Sequence, residues 1–159
     1  MPGSERSSVP DALEAQRKRA HLLTCIAGVG YMGIALSHFV VPWLFHWHTT
    51  LPESAMTVVA GAQINNISFL YLFNADLLLY EVMLAGLSFY AARQQLAGKH
   101  VGLVLGGCLS VFFLLRTPIQ FFYFPFTWPN IAQSVGSFAL GCAYGYVLVR
   151  RSAFQEQNP

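Results

Sequence analysis

Residues 67–92 read ISFLYLFNADLLLYEVMLAGLSFYAA, a 26-residue apolar run interrupted by Asn74, Asp76 and Glu81. About 20 residues of helix cross the hydrocarbon core of a bilayer, so a run of this length reads as a membrane span. Ionisable groups at that depth are costly, and they mark functional positions by default. On the insertion scale Asp76 and Glu81, if charged, cost roughly 2.5–3.5 kcal/mol each near the helix centre. Against them stand twelve Leu, Ile, Val and Phe in the same run, worth roughly 0.3–0.6 kcal/mol each. The two sums nearly cancel. This helix is therefore only marginally inserted alone and is stable when its polar groups face protein partners.

Working outward, three more apolar stretches appear at about 21–44, 101–123 and 131–149. Continuous apolarity over some 20 residues separates them from strands and from amphipathic surface helices. Backbone groups in lipid must be satisfied within the segment, which makes helices the expected solution. The composition agrees: 159 residues, 55% hydrophobic and 10% charged, with a mean hydropathy of +0.47. A soluble domain is nearer a quarter charged. The expectation is an all-α integral membrane protein, a four-transmembrane-helix bundle, in which residues 20–150 form one membrane domain. Residues 1–19 read as a polar, mostly disordered tail, with a short surface helix conceivable from Asp11 to Arg19, and residues 151–159 as a second tail. No room remains for a soluble catalytic domain, and nothing suggests a nucleic-acid partner.

The basic residues orient the chain. Of the nine Lys and Arg, eight (Arg6, Arg17, Lys18, Arg19, Arg93, Lys99, Arg150 and Arg151) fall in the two tails or the connection between spans 2 and 3. The other two connections hold none. By the positive-inside rule both termini are cytoplasmic, in a multi-pass protein of the plasma (inner) membrane. The outer connections hold aromatics and Pro instead, including Trp43, Trp47 and Trp128, as an interfacial belt does. Arg17-Lys18-Arg19 before an apolar stretch and Ala35-Leu36-Ser37 also resembles a signal peptide. Apolar character continuing through Phe45 favours an uncleaved span.

Small residues recur at four-residue spacing: Gly33 and Ser37; Gly102, Gly106 and Ser110; Gly141 and Gly145. Such positions let helices approach closely, inside a bundle or between copies. The internal use is expected. The three cysteines, Cys25, Cys108 and Cys142, are widely spaced within apolar segments and suit neither a disulfide framework nor a zinc site.

Depth arithmetic assembles a candidate ligand-binding site. Asp76 lies a few ångströms to the outer side of the span 2 midpoint, at 1.5 Å rise per residue. Arg116 of span 3 falls at a similar depth, and His38 of span 1 is slightly farther out. Asn74 and Glu81, seven residues apart, share a helix face that Asp76 does not. Gln120 lies one turn beyond Arg116, and Pro118 between them should kink span 3 and free a carbonyl. One reading is a buried ion pair, Arg116 with Asp76 or Glu81, that fixes packing. The other is an outward-facing polar site of His38, Asn74, Asp76, Glu81, Arg116 and Gln120 that binds a small molecule or handles protons. His46 and His48 are a weak candidate metal pair, since a site needs three or four ligands. A solvated loop explains them better.

The run His38-Phe39-Val40-Val41-Pro42-Trp43-Leu44-Phe45-His46-Trp47, with Leu51-Pro52, resembles the end of helix 1 in a group of small four-helix bacterial membrane proteins. Asn74 with Leu77 to Leu79, then Leu87-Ser88-Phe89-Tyr90-Ala91, continues the pattern, as do Phe112 to Arg116, Gln120 and the exit at Pro125. The likeness covers about residues 25–125. The group is similar in layout to DoxX-like proteins, which implies a four-helix membrane fold and no particular reaction; Asp76 and Glu81 lie outside the pattern. Three functions remain open: ligand binding or support of a membrane complex, a membrane oxidoreductase acting with quinone, and an oligomeric small-solute or proton-coupled transporter. The sequence shows no nucleotide, flavin or Cys-pair motif, so it identifies no cofactor.

Overall fold

The computed structural model describes residues 8–44, 46–50, 56–59, 61–123, 128–150 and 154. The elements run α1 (Ser8–Ser37), α2 (Val41–Leu44), α3 (Trp47–Thr50), β1 (Met56–Val59), β2 (Ala62–Asn65), α4 (Asn66–Leu96), α5 (His100–Tyr123) and α6 (Trp128–Val149). Four helices are long and apolar enough to cross a membrane: Asp11–Ser37, Asn66–Leu96, His100–Phe122 and Ile131–Val149. The chain is a multi-pass membrane protein of four such spans.

Three boundaries differ from the sequence reading. The first helix begins at Ser8, inside the stretch read as a polar tail. Good helix formers fill that stretch, and Glu14 pairs with Lys18 one turn on, at 2.6 Å. At its other end α1 stops at Ser37, well short of residue 44. Hydropathy carries on there, but Pro42 has no N–H to offer the His38 carbonyl, and its ring would crowd that carbonyl in a continuing helix. The chain tightens instead, with His38, Phe39 and Val40 donating to Ala35, Leu36 and Ser37 three residues back. The third difference is an antiparallel hairpin, unforeseen in an all-α reading, with Val59 opposite Ala62. β-Branched Thr57, Val58 and Val59 suit a strand, and Gly61 takes the positive φ of +84° that the tight turn requires. Asn65 then starts α4, its side-chain oxygen accepting from the Ser68 N–H at 3.1 Å, as an N-cap does.

The chain divides into two compact units. One comprises residues 1–28 and 86–159 and contains the antiparallel α5–α6 pair. Here the small residues read from the sequence meet. The Ser110 hydroxyl donates to the Gly141 carbonyl at 2.8 Å. A methyl added at Gly145 would come within 2.8 Å of the Ser110 Oγ, and one at Gly106 within 2.6 Å of Val147. Phe113 stacks on Tyr144, with centroids 5.5 Å apart. Pro118 lies within α5, which continues as helix to Tyr123. Ala20, Val147 and Phe154 make a small core with Leu13, Leu103 and Tyr146 around it. Between α4 and α5, Gly98 (φ +69°) and Lys99 donate to Gln95 and Gln94, the Schellman pattern that ends a helix.

The other unit, residues 29–85, holds the end of α1, the two short helices, the hairpin and the first two-thirds of α4. Trp47 of α3 meets Tyr71 of α4 edge to face at 5.6 Å. Gly33 and Ser37, expected at an internal contact, are exposed, and Gly33 has nothing within 4 Å of where a side chain would start. The Ser37 hydroxyl turns back to the Ile34 carbonyl.

Candidate functional site

The break at the end of α1 builds the site. With Pro42 unable to donate to it, the His38 carbonyl is open, and the Asn74 side-chain amide takes it at 2.8 Å. That bond orients the amide, and the Asn74 oxygen then faces His38 Nδ1 at 2.7 Å. One residue thus grips both the backbone and the ring of His38. Seven residues farther along α4, on the same helix face, Glu81 brings Oε2 to 3.1 Å from His38 Nε2. The Glu81 side chain is 1% exposed and that of His38 15%. The approach lies within ion-pair distance but off the line of a good hydrogen bond.

These contacts specify protons. An amide oxygen only accepts, so His38 Nδ1 carries the hydrogen in that bond. A neutral ring would then turn the Nε2 lone pair toward a carboxylate oxygen, which is repulsive. A single proton resolves this, placed either on Nε2 as imidazolium opposite carboxylate or on Glu81 opposite neutral imidazole. The arrangement can therefore hold one proton between two atoms while Asn74 keeps the ring in place.

The structure brings His38, Asn74 and Glu81 together. Asp76 is exposed, on the opposite side of α4. Gln120 is buried in the other unit, where its amide donates to Gln133 at 2.8 Å. Arg116 is half-buried on α5, one turn before Gln120. His46 is exposed, with a positive φ of 49°, and the side chain of His48 lies outside the described residues. Among the described residues no group of three His, Cys, Asp or Glu could hold a metal ion.

The heptad that links Asn74 to Glu81 runs on to Ser88 and Gln95, a continuation the sequence reading missed. The Ser88 hydroxyl is 2.7 Å from that of Tyr144, and Gln95 accepts from Thr24 at 2.8 Å and donates to the Gly102 carbonyl at 3.2 Å. Four polar residues at seven-residue intervals in an apolar helix were a legible signal. Comparison with protein-family models, characterised proteins and solved structures finds no match to this chain.

Proposed function

We propose that this chain is a small plasma-membrane protein, with both termini cytoplasmic, whose His38–Asn74–Glu81 cluster binds a small molecule from the outer half of the bilayer or anchors a larger membrane complex. The four-helix layout resembling DoxX-like proteins fits this reading. The observation that carries it is the nearly complete burial of Glu81 beside His38. An ionisable pair inside a membrane span is expensive to maintain, and a packing role alone could be filled by apolar side chains at lower cost. Asn74 presets the ring, as a binding group requires.

A second reading follows from the shared proton. A group able to take up or release one proton beside the lipid phase suits a membrane oxidoreductase acting with quinone, where His38 and Glu81 would serve the proton half of the reaction.

The test is purification in mild detergent followed by mass spectrometry of co-purifying lipids, quinones and proteins. Wild type should retain a molecule or subunit that His38→Ala and Glu81→Gln lose while the helix content stays unchanged. Identical co-purification from all three proteins overturns the proposal.

A further inference from the structure

An apolar groove of about 620 Å³ runs along α5, with Leu103, Val104, Gly107, Val111 and Phe112 on one side and Leu148 of α6 on the other. That volume falls in the range of about 300–1,000 Å³ usual for ligand sites, yet no charged residue lines it. Gly107 helps to hold it open, since a methyl there would come within 3.0 Å of the Leu148 side chain. From Leu103 to Phe112 the groove rises about 13.5 Å at 1.5 Å per residue, close to the roughly 15 Å of hydrocarbon in one leaflet. Every lining residue belongs to the unit of residues 1–28 and 86–159. The stretch of α4 level with the groove belongs to that unit as well. Gln95 meets Gly102 just before the groove, and Ser88 meets Tyr144, which stacks on Phe113 just past it.

One end of the groove is basic. Because α5 and α6 are antiparallel, the start of one and the end of the other lie together. Lys99 stands one turn before Leu103 and Arg150 two residues beyond Leu148, and both are exposed. α5 begins at His100, so the positive end of its dipole is at the same place. From Val82 to Gln155 the chain has no Asp or Glu, so neither helix, nor the turn before α5, supplies a carboxylate to balance these cations. Positive charge at the mouth of an apolar trough one leaflet long is complementary to an anionic head on a hydrocarbon tail. We propose that the groove binds an anionic phospholipid, with one acyl chain along Leu103 to Phe112 and the phosphate at Lys99 and Arg150. Phosphate oxygens accept charge-assisted hydrogen bonds from ammonium and guanidinium groups, and each basic residue near the surface adds affinity for anionic lipid. In the orientation proposed above, the lipid belongs to the cytoplasmic leaflet.

The test is native mass spectrometry of the full chain released from bilayers of phosphatidylcholine and phosphatidylglycerol in equal amounts. Wild type should retain phosphatidylglycerol in preference to phosphatidylcholine by about ten-fold or more, and Lys99→Gln and Arg150→Gln should each lower that preference about five-fold. Val104→Trp fills the groove and leaves the cations in place, and it should lose the bound phosphatidylglycerol. Val135→Trp, exposed on α6 about 20 Å along the helix from Leu148, should keep it. Helix content confirms that each variant folds, and Cys108→Phe, which lines the same groove, repeats the test should Val104→Trp fail to. Equal retention of the two lipids by wild type, an unchanged preference in both charge variants, or full retention in a folded groove-filling variant overturns the inference. Displacement of the lipid by inorganic phosphate alone overturns it too, since the cations would then bind phosphate without the groove.

Discussion

The α5–α6 pair and the meeting of α1 with α4 around His38 solve the same problem in opposite ways. In α5–α6 the helices join through absence: Gly106, Gly141 and Gly145 leave out side chains so that backbones and Ser110 come close. Around His38 they join through addition, with an imidazole, an amide and a carboxyl reaching across. Dispersion between close surfaces is short-ranged and offers nothing to exchange. Polar side chains are weaker glue per residue in lipid but can trade a partner or a proton. The first region is built to hold, the second to respond.

The largest expected effect attacks the close-packed pair. A side chain at Gly141 would begin 2.8 Å from Leu114 and 3.1 Å from its backbone nitrogen, so Gly141→Val should cost about 3 kcal/mol, the upper end for overpacking. Unfolding in mixed micelles measures it; a loss under about 1 kcal/mol would mean that α6 shifts freely and the contrast is overdrawn.

Around His38 the stability cost should be smaller and the functional cost larger. Glu81→Leu leaves the imidazole without its carboxyl and should lose about 1–2 kcal/mol, together with any bound molecule. Combining it with His38→Leu should restore part of the stability and none of the binding. If stability does not return, the two groups are not energetically coupled.

Smaller still is the Ser88–Tyr144 hydrogen bond, polar but inside the close-packed unit. A double-mutant cycle of Ser88→Ala and Tyr144→Phe should give about 0.6 kcal/mol of coupling, typical of such bonds in membranes, with no effect on bound ligand. Loss of ligand would extend the responsive region beyond His38. Last comes His46→Ala with His48→Ala, which should change stability by less than about 0.5 kcal/mol and leave binding unchanged. Zinc-dependent stability lost in that double variant would move the site to the loop.

How much was legible follows the same division. The four spans could be read because apolarity over 20 residues is a local property of the chain. So could the Gly106, Ser110, Gly141 and Gly145 contact, since small residues one turn apart have few other uses in a span. The end of α1 could not. Hydropathy is blind to the backbone accounting by which Pro42 leaves the His38 carbonyl open for Asn74. The pairing of Asn74 with Glu81 on one face was visible, and the same arithmetic reaches Ser88 and Gln95. Gly33 and Ser37 misled because close spacing records what a face permits, and the surroundings decide whether anything uses it.

The single proton between His38 and Glu81 has an electrical consequence. On either atom it leaves the pair at zero net charge, so the transfer moves a dipole and adds no ion to the bilayer. Carrying a full charge across the membrane is worth about 2.3 kcal/mol per 100 mV. A hop of about 1 Å in a core about 30 Å thick samples only a thirtieth of that field. The pair should therefore be nearly deaf to membrane voltage, and any voltage dependence found in this protein must arise from charges moving elsewhere.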